Sequence, residues 1–181
     1  MVKQERQQMK QIFESENIRF VQVSEELVSD YLTMVNDFEN VNRWIGSKNK
    51  KYNEEQELAW IQEKLKENAP VFSMIEKESG AFIGNIELMD VSESAGELGI
   101  AITAAKQEQG FGTEAVQAFV KYCAAQFGIS KICLRAMPYN SRVIHVYQKC
   151  GFLEYQRTER FVFMELSLDP EAESSSGAAR E

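Results

Sequence analysis

Histidine is almost missing from this 181-residue chain, with His145 the only one. The three cysteines, Cys123, Cys133 and Cys150, are odd in number, far apart and without a CxxC pair. One histidine and three scattered thiols do not make the paired ligands of a structural zinc site or the staples of a disulfide framework. No metal is therefore expected, and the thiols read as reduced in a cytoplasmic protein. No apolar run approaches the ~18 residues of a membrane span, and the opening Met1-Val2-Lys3-Gln4-Glu5-Arg6 lacks the apolar stretch of a signal peptide. Positive charge is also short: 20 Lys and Arg stand against 28 Asp and Glu, a net charge of −8. Nucleic acid is then a poor partner, because phosphate binding needs a basic footprint. Internal repeats are absent.

What is present is ordinary globular composition, 44% hydrophobic and 27% charged, enough for one core. The reading is a single domain over residues 1–168 and a small, polar, disordered tail over 169–181. Residues 3–16 carry Met9, Ile12 and Phe13 at helical spacing, which predicts a short amphipathic helix or a frayed arm. Residues 18–23 alternate as a strand. Ser24 caps a helix whose apolar face is Leu27, Tyr31, Met34 and Val35. Residues 40–53 read as a loop with a turn near Trp44, and 54–67 as a second helix ended before Pro70. Three hairpin-linked strands follow at 71–77, 81–90 and 95–102. The period then turns helical over 111–126, with Val116, Phe119, Val120 and Cys123 inward and Gly128 as the stop. A strand at 130–136, a helix at 141–149 and strands at 152–156 and 159–167 complete the order β-α-α-β-β-β-α-β-α-β-β.

The strand 95–102 leads through a loop to Gly110 and Gly112, which open a helix. Such a junction presents free backbone N–H groups and the positive end of a helix dipole to an anion. Glycine matters there because a Cβ would hold a diphosphate off the backbone. Gly110-Phe111-Gly112-Thr113-Glu114-Ala115 also fits the dinucleotide pattern G-x-G-x-x-A. Against that reading, seven residues separate the strand from the first glycine. The next strand, Lys131 to Ala136, carries no ribose-binding acid. Antiparallel strands before the loop are also wrong for a parallel Rossmann sheet.

Two segments together carry a resemblance. Gln107-x-x-Gly110-x-Gly112, followed by Thr113-Glu114-Ala115, is similar to the Q/R-x-x-G-x-G/A loop of the GCN5-related N-acetyltransferase (GNAT) superfamily. Asn140-x-Arg142-Val143-Ile144-His145-Val146-Tyr147-Gln148-Lys149-Cys150-Gly151-Phe152 resembles its N-x-x-A-I-x-x-Y-x-K-x-G-F segment. The stretch from about 81 to 156 looks closest to the branch of ribosomal-protein alanine and spermidine N-acetyltransferases. Glu108 departs from the pattern, standing where the family often has glycine; beside a bound diphosphate it is expected to point outward.

The resemblance implies an α+β fold with a mixed, mainly antiparallel sheet and one splayed parallel strand pair, 95–102 and 130–136, forming an acyl-CoA cleft. It implies acetyl-CoA as co-substrate and an amine as acceptor, in a monomer or homodimer. Backbone groups near Ile100 and Ile102 would pair with the pantetheine arm, and Gln107, Glu108, Gln109, Gly110, Phe111, Gly112 and Thr113 would hold the pyrophosphate. Asn140 would bond the pantetheine from the other side, and Lys149 would reach the adenosine phosphate. Tyr147 matches the tyrosine that stands near the sulfur, where a phenol can give its proton to a departing thiolate; its alternative is a packed core aromatic. For the general base, Glu87 and Glu97 are the mid-strand carboxylates, with solvent-facing positions or a water relay as the alternatives. His145 lies about 200° from Tyr147 around the helix and reads as a surface or packing residue; Cys150 reads as packing. The acceptor side, between the first strand and residue 71, carries Asp30, Asp37, Glu39, Glu54, Glu55 and Glu57 with Trp44 and Trp60. That suits a cationic amine, although Lys48, Lys50 and Lys51 lie there too. The rival on the same fold is an acyl-CoA sensor without turnover.

Overall fold

Runs of β-branched and aromatic residues give eight strands, as pleated, half-buried surfaces favour them. The computed structural model describes residue 6, residues 8–45 and residues 49–168. The strands are β1 (Gln11–Glu14), β2 (Ile18–Gln22), β3 (Val71–Glu76), β4 (Phe82–Met89), β5 (Ala95–Ile102), β6 (Lys131–Ala136), β7 (Leu153–Arg157) and β8 (Val162–Ser167). They form one sheet in the order β1-β2-β3-β4-β5-β6-β8-β7. Every neighbouring pair is antiparallel except β5 and β6. This is the mixed α+β architecture expected, with one strand more.

The extra strand is β1, where the helical spacing of residues 3–16 pointed to a helix or arm. Tertiary packing overrides that spacing. Phe13 stacks on Phe20 and on Tyr122, each at 4.1 Å between ring centroids, and a bulge between Gln11 and Phe13 breaks the period-two signal. The expected tail at 169–181 lies outside the described residues.

Among the described residues, four helices cover the sheet: α1 (Val28–Val35), α2 (Glu54–Lys66), α3 (Phe111–Phe127) and α4 (Ser141–Lys149). A 3₁₀ turn, Glu25–Leu27, leads into α1; Ser24 Oγ accepts from the Glu26 amide, as the sequence indicated. Asn53 and Gln56 close a reciprocal capping box on α2. Alternation along the strands separates two apolar clusters, one on each face. Phe20, Met74, Ile86 and Leu98 pack with Ala115, Phe119, Ile144 and Tyr147 of α3 and α4. Val21, Val71, Ile75 and Phe82 pack with Tyr31, Met34 and Ile61 of α1 and α2.

The parallel pair positions the site. β5 and β6 match only at Ala95, Gly96 and Glu97 against Lys131, Ile132 and Cys133. β5 stays on β4 up to Ile102, and β6 stays on β8 up to Ala136. The two strands therefore part after Glu97 and Cys133, and the stretch from Leu98 to Ile102 has no strand on that side. Gly84 lets β4 follow β5 here: a Cβ on it would fall 2.0 Å from the Ala101 carbonyl oxygen.

Candidate active site

The loop from β5 to α3 is built to stay open. A 3₁₀ turn, Ala104–Lys106, is tied to the β3–β4 hairpin by Lys106 Nζ and Glu76 Oε2 at 2.7 Å. That pairing, first, and the Ser79 hydroxyl hold the Glu76 carboxyl below the usual range. Glu108 at φ +62° and Gly110 at φ +87° turn the chain so that Gly110 caps α3 without a side-chain bond. The amides of Phe111, Gly112 and Thr113 are first-turn donors, and no acceptor for them is found among the described residues. A Cβ on Gly110 would meet no protein atom within 4 Å, so the space before these amides is open. Open first-turn amides of this kind can meet an anion.

Around it, Gln107 donates to the Ile102 carbonyl at 2.9 Å and to the Asn40 carbonyl at 3.3 Å, so one edge group of the open β5 stretch is already met from within. Gln109 donates to the Ala105 carbonyl, and Phe111 is buried in the α3/α4 core. Asn140 caps α4, its Oδ1 accepting from the Val143 amide at 3.3 Å, which leaves its NH₂ for other use. Gln107, Asn140 and Arg142 line a cleft of about 360 Å³ with Asn40, Arg43 and Trp44. Lys149 is exposed in the last turn of α4, ~13 Å of helix from Asn140, and its neighbour Cys150 has its Sγ 3.8 Å from the Thr113 carbonyl oxygen in the first turn of α3. Glu108 does point outward, as expected, toward Arg142 at 2.7 Å.

The two sides of the fork differ in chemistry. On the α3/α4 face, Tyr147 is 6% exposed and shares its cluster with Ile100 and Ile102. Burial pushes its phenol up from the ordinary value, and its hydroxyl has no hydrogen-bond partner among the described residues. On the α1/α2 face, Glu87 lies over Gly99: its Oε1 is 3.4 Å from where a Gly99 Cβ would stand, two residues past the last paired position of β5. Burial raises the Glu87 carboxyl, countered in part by Lys64 Nζ at 4.0 Å. Glu97, at the fork itself, is engaged by Arg135 Nε at 2.8 Å. His145 is exposed, and Cys150 is half-buried with its thiol pushed up by burial.

Residues 17–153 match the family model of an acetyltransferase (GNAT) domain. The chain belongs to the GNAT family. By sequence, no curated protein matches. In three dimensions this GNAT domain is similar to a GNAT-family acetyltransferase from Bacillus anthracis, with a TM-score of 0.76 at 16% identity over 86% of this chain and 97% of that one. It is also similar to the spermidine N-acetyltransferase of Vibrio cholerae solved with CoA and spermine, with a TM-score of 0.73 at 17% identity over 85% and 97% of the two chains. Among the described residues no helix is long and apolar enough to cross a membrane.

Two features near this loop were not read from sequence. Arg142 was quoted only as part of a motif, although it reaches Gln107 and Glu108. The capping role of Asn140 carried a signal, an Asn directly before a helix. Glu57, one of the acids the sequence places on the acceptor side, is 6% exposed and its carboxyl is raised by burial.

Proposed function

We propose that this GNAT domain is an acetyl-CoA-dependent N-acetyltransferase acting on a primary amine, of a small molecule or a protein N-terminus. The observation that carries the reading is the fork between β5 and β6 with a raised carboxylate on one face and a buried phenol on the other. Acetyl-CoA supplies a thioester carbonyl to be attacked. The first-turn amides of α3 hold its diphosphate, and the open edge of β5 near Ile100 and Ile102 runs beside its pantetheine.

Glu87 takes the proton of the incoming amine. Its raised pKa makes it a stronger base than an ordinary carboxylate. The amine nitrogen bonds to the acetyl carbon, the carbon–sulfur bond breaks, and the sulfur leaves with the electron pair. Tyr147 gives that sulfur its phenol proton and is reprotonated from solvent. Desolvation keeps the phenol protonated until the thiolate appears. Glu97 is assigned the support of the fork, because Arg135 occupies its carboxylate. Backbone donors left unpaired on β5 would polarise the carbonyl oxygen.

The test is a panel of amines with acetyl-CoA, following free thiol. Turnover with a primary amine that is lost in Glu87→Gln supports the reading. Tight CoA binding with no turnover on any amine would make the protein a coenzyme-binding sensor instead.

A further inference from the structure

We propose that Arg142 is a phosphate-binding residue of the coenzyme site, held in reserve by Glu108; the inference rests on the acetyl-CoA reading above. Arg142 stands in the first turn of α4 and crosses to the cofactor loop. Its Nη1 donates to Glu108 Oε1 at 2.7 Å and its Nη2 to Gln107 Oε1 at 2.8 Å. A guanidinium fork presents two parallel donors, the geometry that a phosphate takes up best. Here that fork is spent on two neighbouring loop residues, three and two positions before Gly110.

The pair is exposed, with 53% of the Arg142 side chain and 72% of Glu108 accessible, so it is held weakly against a better anion. The α3 amides and the open space at Gly110 lie next along the same loop. A diphosphate arriving there carries two negative charges against the one of a carboxylate and offers more acceptor oxygens. It takes Arg142 from Glu108, and the freed carboxylate turns to solvent. The other cation lining the cleft, Arg43, stacks on Trp44 with its guanidinium carbon 4.3 Å from the ring centroid. Glu108 thereby sets coenzyme affinity through Arg142, lowering it by competition.

Calorimetry with CoA and with pantetheine, which lacks the phosphates, tests this on wild type, Arg142→Gln, Glu108→Gln and the double variant. Both side chains are exposed, and melting curves check each fold. Arg142→Gln should weaken CoA binding about tenfold, the loss expected for one charge-assisted bond, and leave pantetheine unchanged. Glu108→Gln should tighten CoA several-fold, and the double variant should behave as Arg142→Gln alone. Wild type that binds CoA while Arg142→Gln stays within twofold would overturn this inference and leave the enzyme reading standing. Equal losses for pantetheine, or a Glu108→Gln gain that persists without Arg142, would overturn it as well. A wild type that ignores CoA would overturn the acetyltransferase reading and this inference together.

Discussion

Replacing Tyr147 with phenylalanine should slow turnover and leave the fold nearly as stable as before. The ring is 6% exposed and packs on Phe152 with centroids 5.8 Å apart, and phenylalanine keeps that contact. The hydroxyl has no hydrogen-bond partner among the described residues but is not sealed from solvent, while burial holds the phenol above its usual pKa. Deleting a hydroxyl that still meets water should change stability by no more than about 1 kcal/mol, or ~2–4 °C in Tm for a chain of this size. Activity should fall. General-acid help is worth about 10²–10⁴-fold, and the low end is expected because a thiolate is already a tolerable leaving group. A 10²-fold loss corresponds to ~2.7 kcal/mol of transition-state stabilisation. Steady-state kinetics on an accepted amine, beside melting curves, give both numbers. A kcat within twofold of wild type would remove Tyr147 from the chemistry. A Tm lower by more than ~4 °C would refute the reading that the hydroxyl has no protein partner.

Gly110→Ala forces a Cβ to φ +87° and into the space before the α3 amides; strain of about 1 kcal/mol and weaker CoA binding should both appear in calorimetry. Gly112→Ala is the companion, because its Cβ would rest 3.4 Å from Ile102 Cδ1, an ordinary contact. Unchanged CoA affinity in Gly110→Ala would show that the loop is not the cradle. Glu87→Gln should be less active yet more stable than wild type at neutral pH. The folded-state pKa of Glu87 is raised, so its ionisation destabilises the native state as pH rises through that value. The advantage of glutamine should fade below the ordinary carboxylate range. Denaturant titrations at pH 7 and pH 4 that show the same difference would contradict this. Lys106→Met should cost about 1–2 kcal/mol, between an exposed and a buried pair, because Glu76 loses its partner. Glu76 has a depressed pKa, so this loss should be full above the ordinary carboxylate range and disappear as acid protonates it.

Most of the architecture was legible because its signals are local. Alternation marked β2 to β6, Gly128 and Pro70 marked helix ends, and the two glycines at 110 and 112 marked the start of α3. β1 was not, because what makes it a strand is the company of Phe20, Phe72 and Tyr122, which other elements bring. The same distance hid Arg142, whose partners lie 34 and 35 residues back along the chain. A mid-strand carboxylate was noticed at both 87 and 97. Only three dimensions separate them, since one lies over Gly99 and the other is taken by Arg135.

The three-residue match between β5 and β6 also makes the sheet mechanically two sheets. β1 to β5 and β6 to β8 are each zipped by antiparallel ladders, mostly between strands close in sequence, with long returns from β2 to β3 and from β6 to β8. The junction between the halves joins residues 36 positions apart through a very short seam. Only the α3/α4 face carries a cluster spanning both halves, from Ile18 to Met164; the α1/α2 cluster stops at β4 and the edge of β5. The seam is thus riveted from one side, like a book held by its spine. The gap proposed to receive the coenzyme is the fore-edge of that book, and its width is set by packing behind the page, not by hydrogen bonds across it.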